Sequence, residues 1–323
     1  MDRDRAANEG TNLNSQAQTD QTPASNSRAE NPRAGNPRAE NALNLPARDD
    51  QARTKSVYTL QWNRFRIVRS EEDDFTFRNR TGWTEADLAG SLVLDAGCGM
   101  GRYARIASRM GGRVVGVDIS DAVSAARDLN TDRSITGFVK ADLVRLPFRE
   151  QTFDRIYSIG VLDHTPDPRR SFLALTGLLK PGGEIAIWIY RKERPIVERI
   201  IDIHRAISKR LPTRLLLAMS RLSAPVGGIK RRLSKSRLRP IQRLGVALHL
   251  LTIGVSMHPD PEVRVCDTFD WYAPKYMSRH TFEEVAEWCR EAGLVAIDDR
   301  SKRGGHFHEG QGIGVNATAK RPG

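Results

Sequence analysis

Cysteine is scarce. Cys98, Cys266 and Cys289 are the only three in 323 residues, and they lie far apart with no CxxC pair. That spacing excludes a disulfide framework and a thiolate zinc site, so no metal is expected and a reducing, cytoplasmic setting fits best. Long apolar runs are missing as well. No stretch reaches the roughly 18 uninterrupted apolar residues of a spanning helix. The N-terminus carries charged and amide residues where a signal peptide would place its apolar core. The chain is therefore expected to be cytoplasmic, with at most peripheral contact with a membrane. Balanced charge is lacking too: the net charge is +12. The excess is local, because residues 191–250 carry 16 Lys and Arg against 3 Asp and Glu, while the remainder carries 35 against 36.

Residues 1–52 are rich in Asn, Ala, Arg, Gln and Pro, contain the near-repeat NPRAG-NPRAE, and have almost no large apolar residue. They read as a disordered, solvated tail. Aromatics then enter among charges at Tyr58, Trp62, Phe65, Phe75, Phe77 and Trp83, so residues 53–90 are expected to form an aromatic, helical cap. From 91 to 190 apolar β-rich runs alternate with helical periodicity: LVLDAG, RYARIASRM, RVVGVDIS, ITGFVKAD, FDRIYSIG, a helix around 169–179, the turn KPGG and EIAIWIY. Such alternation predicts an α/β fold with a doubly wound, mainly parallel sheet. It stops at Arg191 and resumes near Ser278, making 191–277 a basic insertion. SRHTFEEVAEWCREAGL then predicts an amphipathic helix, opened by Ser-x-x-Thr and stopped by Gly293. Two strands, VAIDDR and GIGVNATAKR, complete 278–323.

The chemistry concentrates at the ends of the early strands. Asp95-Ala-Gly97-Cys98-Gly99-Met100-Gly101 closes a strand and opens a helix, where glycines admit close backbone approach and helix N-terminal amides face a ligand. The pattern is GxGxG with Arg102 next, not the GxGxxG of dinucleotide sites, so nicotinamide binding is disfavoured. Asp118, ending the next strand, is placed to accept both hydroxyls of a ribose; the competing reading is a helix N-cap, a job open to Ser120 or Asp121. Asp142, ending the third, is placed to accept from an adenine amino group while the backbone beside Leu143 meets the ring edge.

Together LDAGCGMG, GVDIS, ADLVRLPF, FDRIYSIGVLDHTPDP and LLKPGGEIAIWIY resemble the class I S-adenosylmethionine-dependent methyltransferases, in particular their small-molecule branch. The resemblance implies a Rossmann-like seven-stranded sheet with an antiparallel last strand and S-adenosyl-L-methionine as cofactor. It also implies that Asp95, Gly97, Gly99 and Gly101 hold the methionine end of the donor, Asp118 its ribose and Asp142 its adenine. Many relatives carry His-His where this chain has Asp163-His164, which leaves the identity of a general base open.

Methyl transfer from a sulfonium is an in-line displacement that depends chiefly on positioning. A hydroxyl acceptor also needs a proton acceptor. His164, after the fourth strand, is the best placed candidate, with Asp163 orienting the ring or serving instead; the competing reading is that His164 caps its loop. His280, His306 and His308 are weaker candidates. In the insertion, IVERIIDIHRAI and LLLAMSRL show helical apolar spacing, followed by the cluster Lys230 to Arg239 and the run LGVALHLLTIGVSM. This predicts a basic helical lid, either a solvated cap or one that touches an anionic membrane through residues 191–257. Trp271, Tyr272 and Tyr276 are expected to tilt the pocket toward a small organic acceptor. The expected activity is O- or N-methylation of a small organic or lipid-linked molecule. The alternatives are an RNA methyltransferase using the basic insertion and a non-catalytic scaffold of the same fold. Neither the Asn/Asp-Pro-Pro-aromatic tetrapeptide nor the cysteine nucleophile of nucleic-acid enzymes follows the fourth strand, so nucleic acid is disfavoured.

Overall fold

The computed structural model describes residues 48–131, 135–236, 238–240, 254–301 and 314–323. Most of the N-terminal tail, His306, His308 and most of the apolar run after Arg243 lie outside them. Two β-rich halves build a seven-stranded sheet of order β3-β2-β1-β4-β5-β7-β6. Its strands are β1 (Leu92–Ala96), β2 (Arg113–Asp118), β3 (Ile135–Lys140), β4 (Phe153–Ile159), β5 (Leu179–Tyr190), β6 (Val295–Asp299) and β7 (Gly314–Lys320). The first five pair in parallel, and β7 runs antiparallel to both β5 and β6. This is the doubly wound, mainly parallel α/β sheet that the alternation predicts. The order reverses between β1 and β4, which opens a crevice at the carboxyl ends of the strands.

Helices cover both faces, as a fully buried parallel sheet requires. They are α1 (Arg48–Arg64), α2 (Ser70–Thr81), α3 (Glu85–Leu88), α4 (Arg102–Arg109), α5 (Ala122–Leu129), α6 (Pro168–Thr176), α7 (Pro195–Ser208), α8 (Thr213–Ser234), α9 (Pro261–Tyr272) and α10 (Phe282–Glu291). One core cluster joins Leu94, Phe153, Ile156, Phe172 and Trp288 from β1, β4, α6 and α10. The other joins Phe77, Trp83, Tyr103, Phe138 and Tyr157 on the opposite face. Trp83 is thus a core residue rather than part of a cover.

Two expectations shift. The tail does not extend to residue 52, since Arg48–Arg64 is helical. The last long helix is capped not at Ser278 but at Thr281, whose side chain accepts from the Glu284 amide while Glu284 returns the bond. That is a full capping box, with Gly293 at φ +69 ending the turn after it.

A third cluster holds the cap together. Val57 and Phe65 of the N-terminal segment pack with Leu216 and Leu217 of α8 and with Cys266, Phe269 and Ala273 along α9. His258 donates through Nε2 to Glu72 at 3.1 Å, and Arg69 pairs with Asp260. The segment before the sheet and the insertion after β5 therefore form one structure over the carboxyl ends of the strands.

Candidate active site

The crevice holds a cavity of about 290 Å³ whose floor is the glycine turn and whose roof is α1, α2 and α9. Gly97 and Cys98 donate their amides to the Val117 carbonyl at 2.7 and 2.8 Å, which pins the turn to β2. Gly97 sits at φ +89, and a Cβ there would lie 2.3 Å from Val161. Only glycine satisfies both conditions. Gly99 donates to Asp118 Oδ2 at 2.9 Å, and the other Asp118 oxygen accepts from the Ser120 amide at 2.8 Å and hydroxyl at 2.6 Å. Burial pushes the Asp118 carboxyl up against these bonds. Ser120, not Asp118, accepts from the Ala122 amide at the start of α5.

Asp118, Asp142, Leu143, Gly97 and Gly99 all line the cavity. Asp142 accepts from the Val144 amide at 3.1 Å and from Gln51 Nε2 at 2.8 Å, so a residue from the segment read as tail reaches the third acid. Asp95 and Gly101 do not line the cavity. Gly101 stands at φ +78 ahead of α4, where a Cβ would meet Asn130 at 2.6 Å and Phe138 at 3.0 Å; its role is packing. Asp95 is buried beneath the turn, and its Oδ2 has no hydrogen-bond partner.

Burial raises the Asp95 carboxyl from 3.8 to about 7, while Tyr157 acts in the opposite direction. The folded chain therefore holds this proton more tightly than the unfolded chain. The group's contribution to stability is complete below pH 4 and is lost as pH rises toward 7. Asp95→Asn is expected to gain on the wild type by on the order of 2 kcal/mol between pH 5 and pH 8. Thermal melts of both proteins across that range check it, and a constant difference would refute the assignment.

The far end of the cavity is polar and aromatic. His164 lies in a 3-10 turn after β4 and lines the cavity. Its Nδ1 is 3.1 Å from the Tyr276 carbonyl, which can only accept, so Nδ1 carries the hydrogen and Nε2 is the free base of the neutral ring. Nε2 stands 3.7 Å from Asp270 Oδ2 and 3.8 Å from Asp163 Oδ2. Asp163 itself is fully buried and absent from the lining, and neither carboxyl oxygen has a hydrogen-bond partner. Burial raises its carboxyl, with the His164 charge opposing. Asp163 therefore has no surface on the cavity and stands behind His164. His280 bonds to Ser278 and lies outside the lining.

Several lining residues escaped the sequence reading. Asp270 accepts from Gln61 at 3.2 Å and from the Tyr190 hydroxyl at 3.4 Å. Burial raises its neighbour Asp267 to about 6, opposed by a bond from Ser256. A signal was present: Val263, Cys266, Asp267, Asp270 and Trp271 follow i, i+3, i+4, i+7, i+8 spacing and all line the cavity from one face of α9. Trp271 and Tyr276 line it as expected, whereas Tyr272 turns away and donates to the Gly254 carbonyl. Arg80 also faces the cavity, stacked 3.9 Å over the Trp188 ring. Among the described residues no carboxylate pairs with it. The buried Tyr58 hydroxyl, Tyr276 hydroxyl and Gln61 Oε1 likewise lack partners.

A parallel sheet with a glycine turn after β1 and acids ending β2 and β3 defines a nucleotide-type cofactor domain of the doubly wound class. Residues 94–187 match the family model described as a methyltransferase domain. Residues 94–187 thus form a methyltransferase domain, with S-adenosyl-L-methionine as the methyl donor. Similar curated proteins include the Oryza sativa subsp. japonica cycloartenol-C-24-methyltransferase 1, 36% identical over 31% of this chain and 30% of that protein. Another is a Xanthomonas oryzae pv. oryzae ubiquinone biosynthesis O-methyltransferase, 36% identical over 31% and 43%. A third is the Homo sapiens "Probable tRNA methyltransferase 9B", 34% identical over 32% and 22%. The match spans less than half the length of each of these relatives.

Proposed function

We propose that the chain transfers a methyl group from S-adenosylmethionine to a hydroxyl or amine of a small organic or lipid-linked acceptor. The observation that carries this reading is one cavity lined both by the glycine turn, Asp118 and Asp142 and by His164 and Asp270. The cavity fits the donor. Asp118 and Asp142 offer carboxylates to ribose and adenine, Gly97 and Gly99 leave the room that a side chain would take, and Arg80 offers its charge to the amino-acid carboxylate.

When bound, the donor supplies an electrophilic methyl on its sulfonium. The chain's own residues supply placement and proton handling. An acceptor hydroxyl entering between Tyr58, Tyr190 and Asp270 meets His164 Nε2, the unprotonated nitrogen, and gives up its proton there as the oxygen attacks. Asp270 and Asp163, each within 4 Å of that nitrogen, stabilise the resulting imidazolium. The enclosing aromatic wall keeps water out. A lipid-linked acceptor would be met at a membrane surface.

Glu72, Asp73, Asp267 and Asp270 line the same cavity together with Arg69, Arg80 and Arg102. The test is calorimetric titration of the full chain with S-adenosylmethionine and S-adenosylhomocysteine, with NAD as control. Binding of the first two at micromolar concentration and none of NAD is expected; the reverse, or no binding of any, overturns the proposal. In the same assay a chain starting at Arg48 is expected to bind as the full chain does. One starting at Phe65, lacking Gln51, Tyr58 and Trp62, is expected to lose at least about tenfold in affinity.

A further inference from the structure

The two long helices of the insertion each bury one face and leave a second apolar face uncovered. On α7, Ser208 donates to the Tyr272 carbonyl, and Arg205 donates to the carbonyls of Trp271 and Pro274. On α8, Leu216 and Leu217 pack into the cluster with Phe269. Both helices are thus seated on α9 and the turn that follows it. Away from those contacts, α7 exposes Ile196, Ile200, Ile203 and Ile207, and α8 exposes Leu215, Met219, Leu222, Val226 and Ile229. These follow alternating steps of four and three, so each set forms a single strip along its helix. Ile203 is 61% exposed and Leu222 79%. Such residues are normal when scattered singly, but two continuous strips on adjacent helices are not.

Charge runs beside the strips. Exposed Arg214, Arg221 and Arg232 on α8 are separated by 7 and 11 residues, which stacks them in one column next to the apolar strip. Exposed Arg199 lies on α7 and exposed Arg210 two residues past its end. Helix α8 contains no acidic residue at all. The two on α7, Glu198 and Asp202, both approach Arg279 of the body. An aliphatic strip bordered by arginines complements a bilayer interface, with acyl chains against the isoleucines and leucines and anionic headgroups against the guanidinium groups. Among the described residues no helix is long and apolar enough to cross a membrane, so the contact lies in the surface plane.

We infer that the outer faces of α7 and α8 dock on an anionic lipid surface. The same α9 that supports them presents Asp267, Asp270 and Trp271 to the cavity, so docking would bring the acceptor end of the site close to the bilayer. The inference goes beyond methyl transfer and stands or falls separately from it.

The test is sedimentation of the full chain with vesicles of phosphatidylcholine alone and of phosphatidylcholine mixed with phosphatidylglycerol. Binding to the mixed vesicles only is expected, weakening as salt rises. Leu222→Glu with Ile203→Glu should cut it at least about tenfold, and Arg214→Glu with Arg221→Glu about fivefold or more per residue. S-adenosylmethionine titration of each variant shows whether the cavity end is intact, and a variant that has lost its fold is replaced by the milder Leu222→Ser and Ile203→Ser pair. Absence of binding to mixed vesicles overturns the inference. So does salt-dependent RNA binding without vesicle binding, or a wild-type dimer that the Glu variants split, since the strips would then face a second copy.

Discussion

Asp118→Ala is expected to weaken S-adenosylmethionine binding by at least about 100-fold while the domain still folds. The carboxylate does two jobs. It fixes the glycine turn by accepting from the Gly99 amide at 2.9 Å, and it fixes the start of α5 by accepting twice from Ser120. Alanine would leave those buried donors without an acceptor, at a cost of roughly 1–3 kcal/mol in stability. It would also remove the only acid at the end of β2 that lines the cavity. Asp121, three residues along and exposed, pairs with Lys140, and Asp121→Ala should leave the affinity within about twofold. Calorimetric titration of both variants, with a melt of each, checks the pair. Retained affinity in Asp118→Ala would remove the ribose assignment.

His164→Gln is expected to lower the rate of methyl transfer by about 10²- to 10⁴-fold and to leave donor affinity unchanged. The separation follows from the contacts: the His164 ring is held by the Tyr276 carbonyl, not by Asp118, Asp142 or a glycine of the turn. Asp270→Asn should produce a smaller fall, because the imidazolium that forms loses a carboxylate 3.7 Å from Nε2. Asp163→Asn should lower the rate in the same way, through the lost charge 3.8 Å from Nε2, and should also change the melting temperature, because Asp163 is fully buried and off the cavity surface. The readout is label moved from methyl-labelled donor into an organic extract, followed across pH. An unchanged rate in His164→Gln would mean that an acceptor needing no base, such as a neutral amine, is methylated by placement alone.

Much of the cavity lining around the glycine turn was legible because it is local. The strand, the turn and the acid that ends each strand are consecutive in sequence, so spacing and glycine placement fix Gly97, Gly99, Asp118 and Asp142 before any tertiary contact is considered. The limits of that logic appear at Asp95 and Gly101, which belong to the same motif yet support the turn from beneath. Alternation of side chains along β1 sends Asp95 into the core, and Gly101 is demanded by Phe138 and Asn130, residues about 30 positions away.

By itself the sequence determined the α/β alternation, the glycine turn, the acids at the strand ends and the basic character of the insertion, because each rests on periodicity or on neighbours within a few residues. Only the tertiary structure decided that Gln51 reaches Asp142, that Asp270 faces His164 across 3.7 Å, and that Asp163 is shut away from the cavity. It also decided which face of α7 and α8 is left uncovered. These depend on helices separated by more than 100 residues closing over one sheet edge. The apolar spacing of a helix states that a face will be buried, but not against what, and the partner settles which side chains remain to do chemistry.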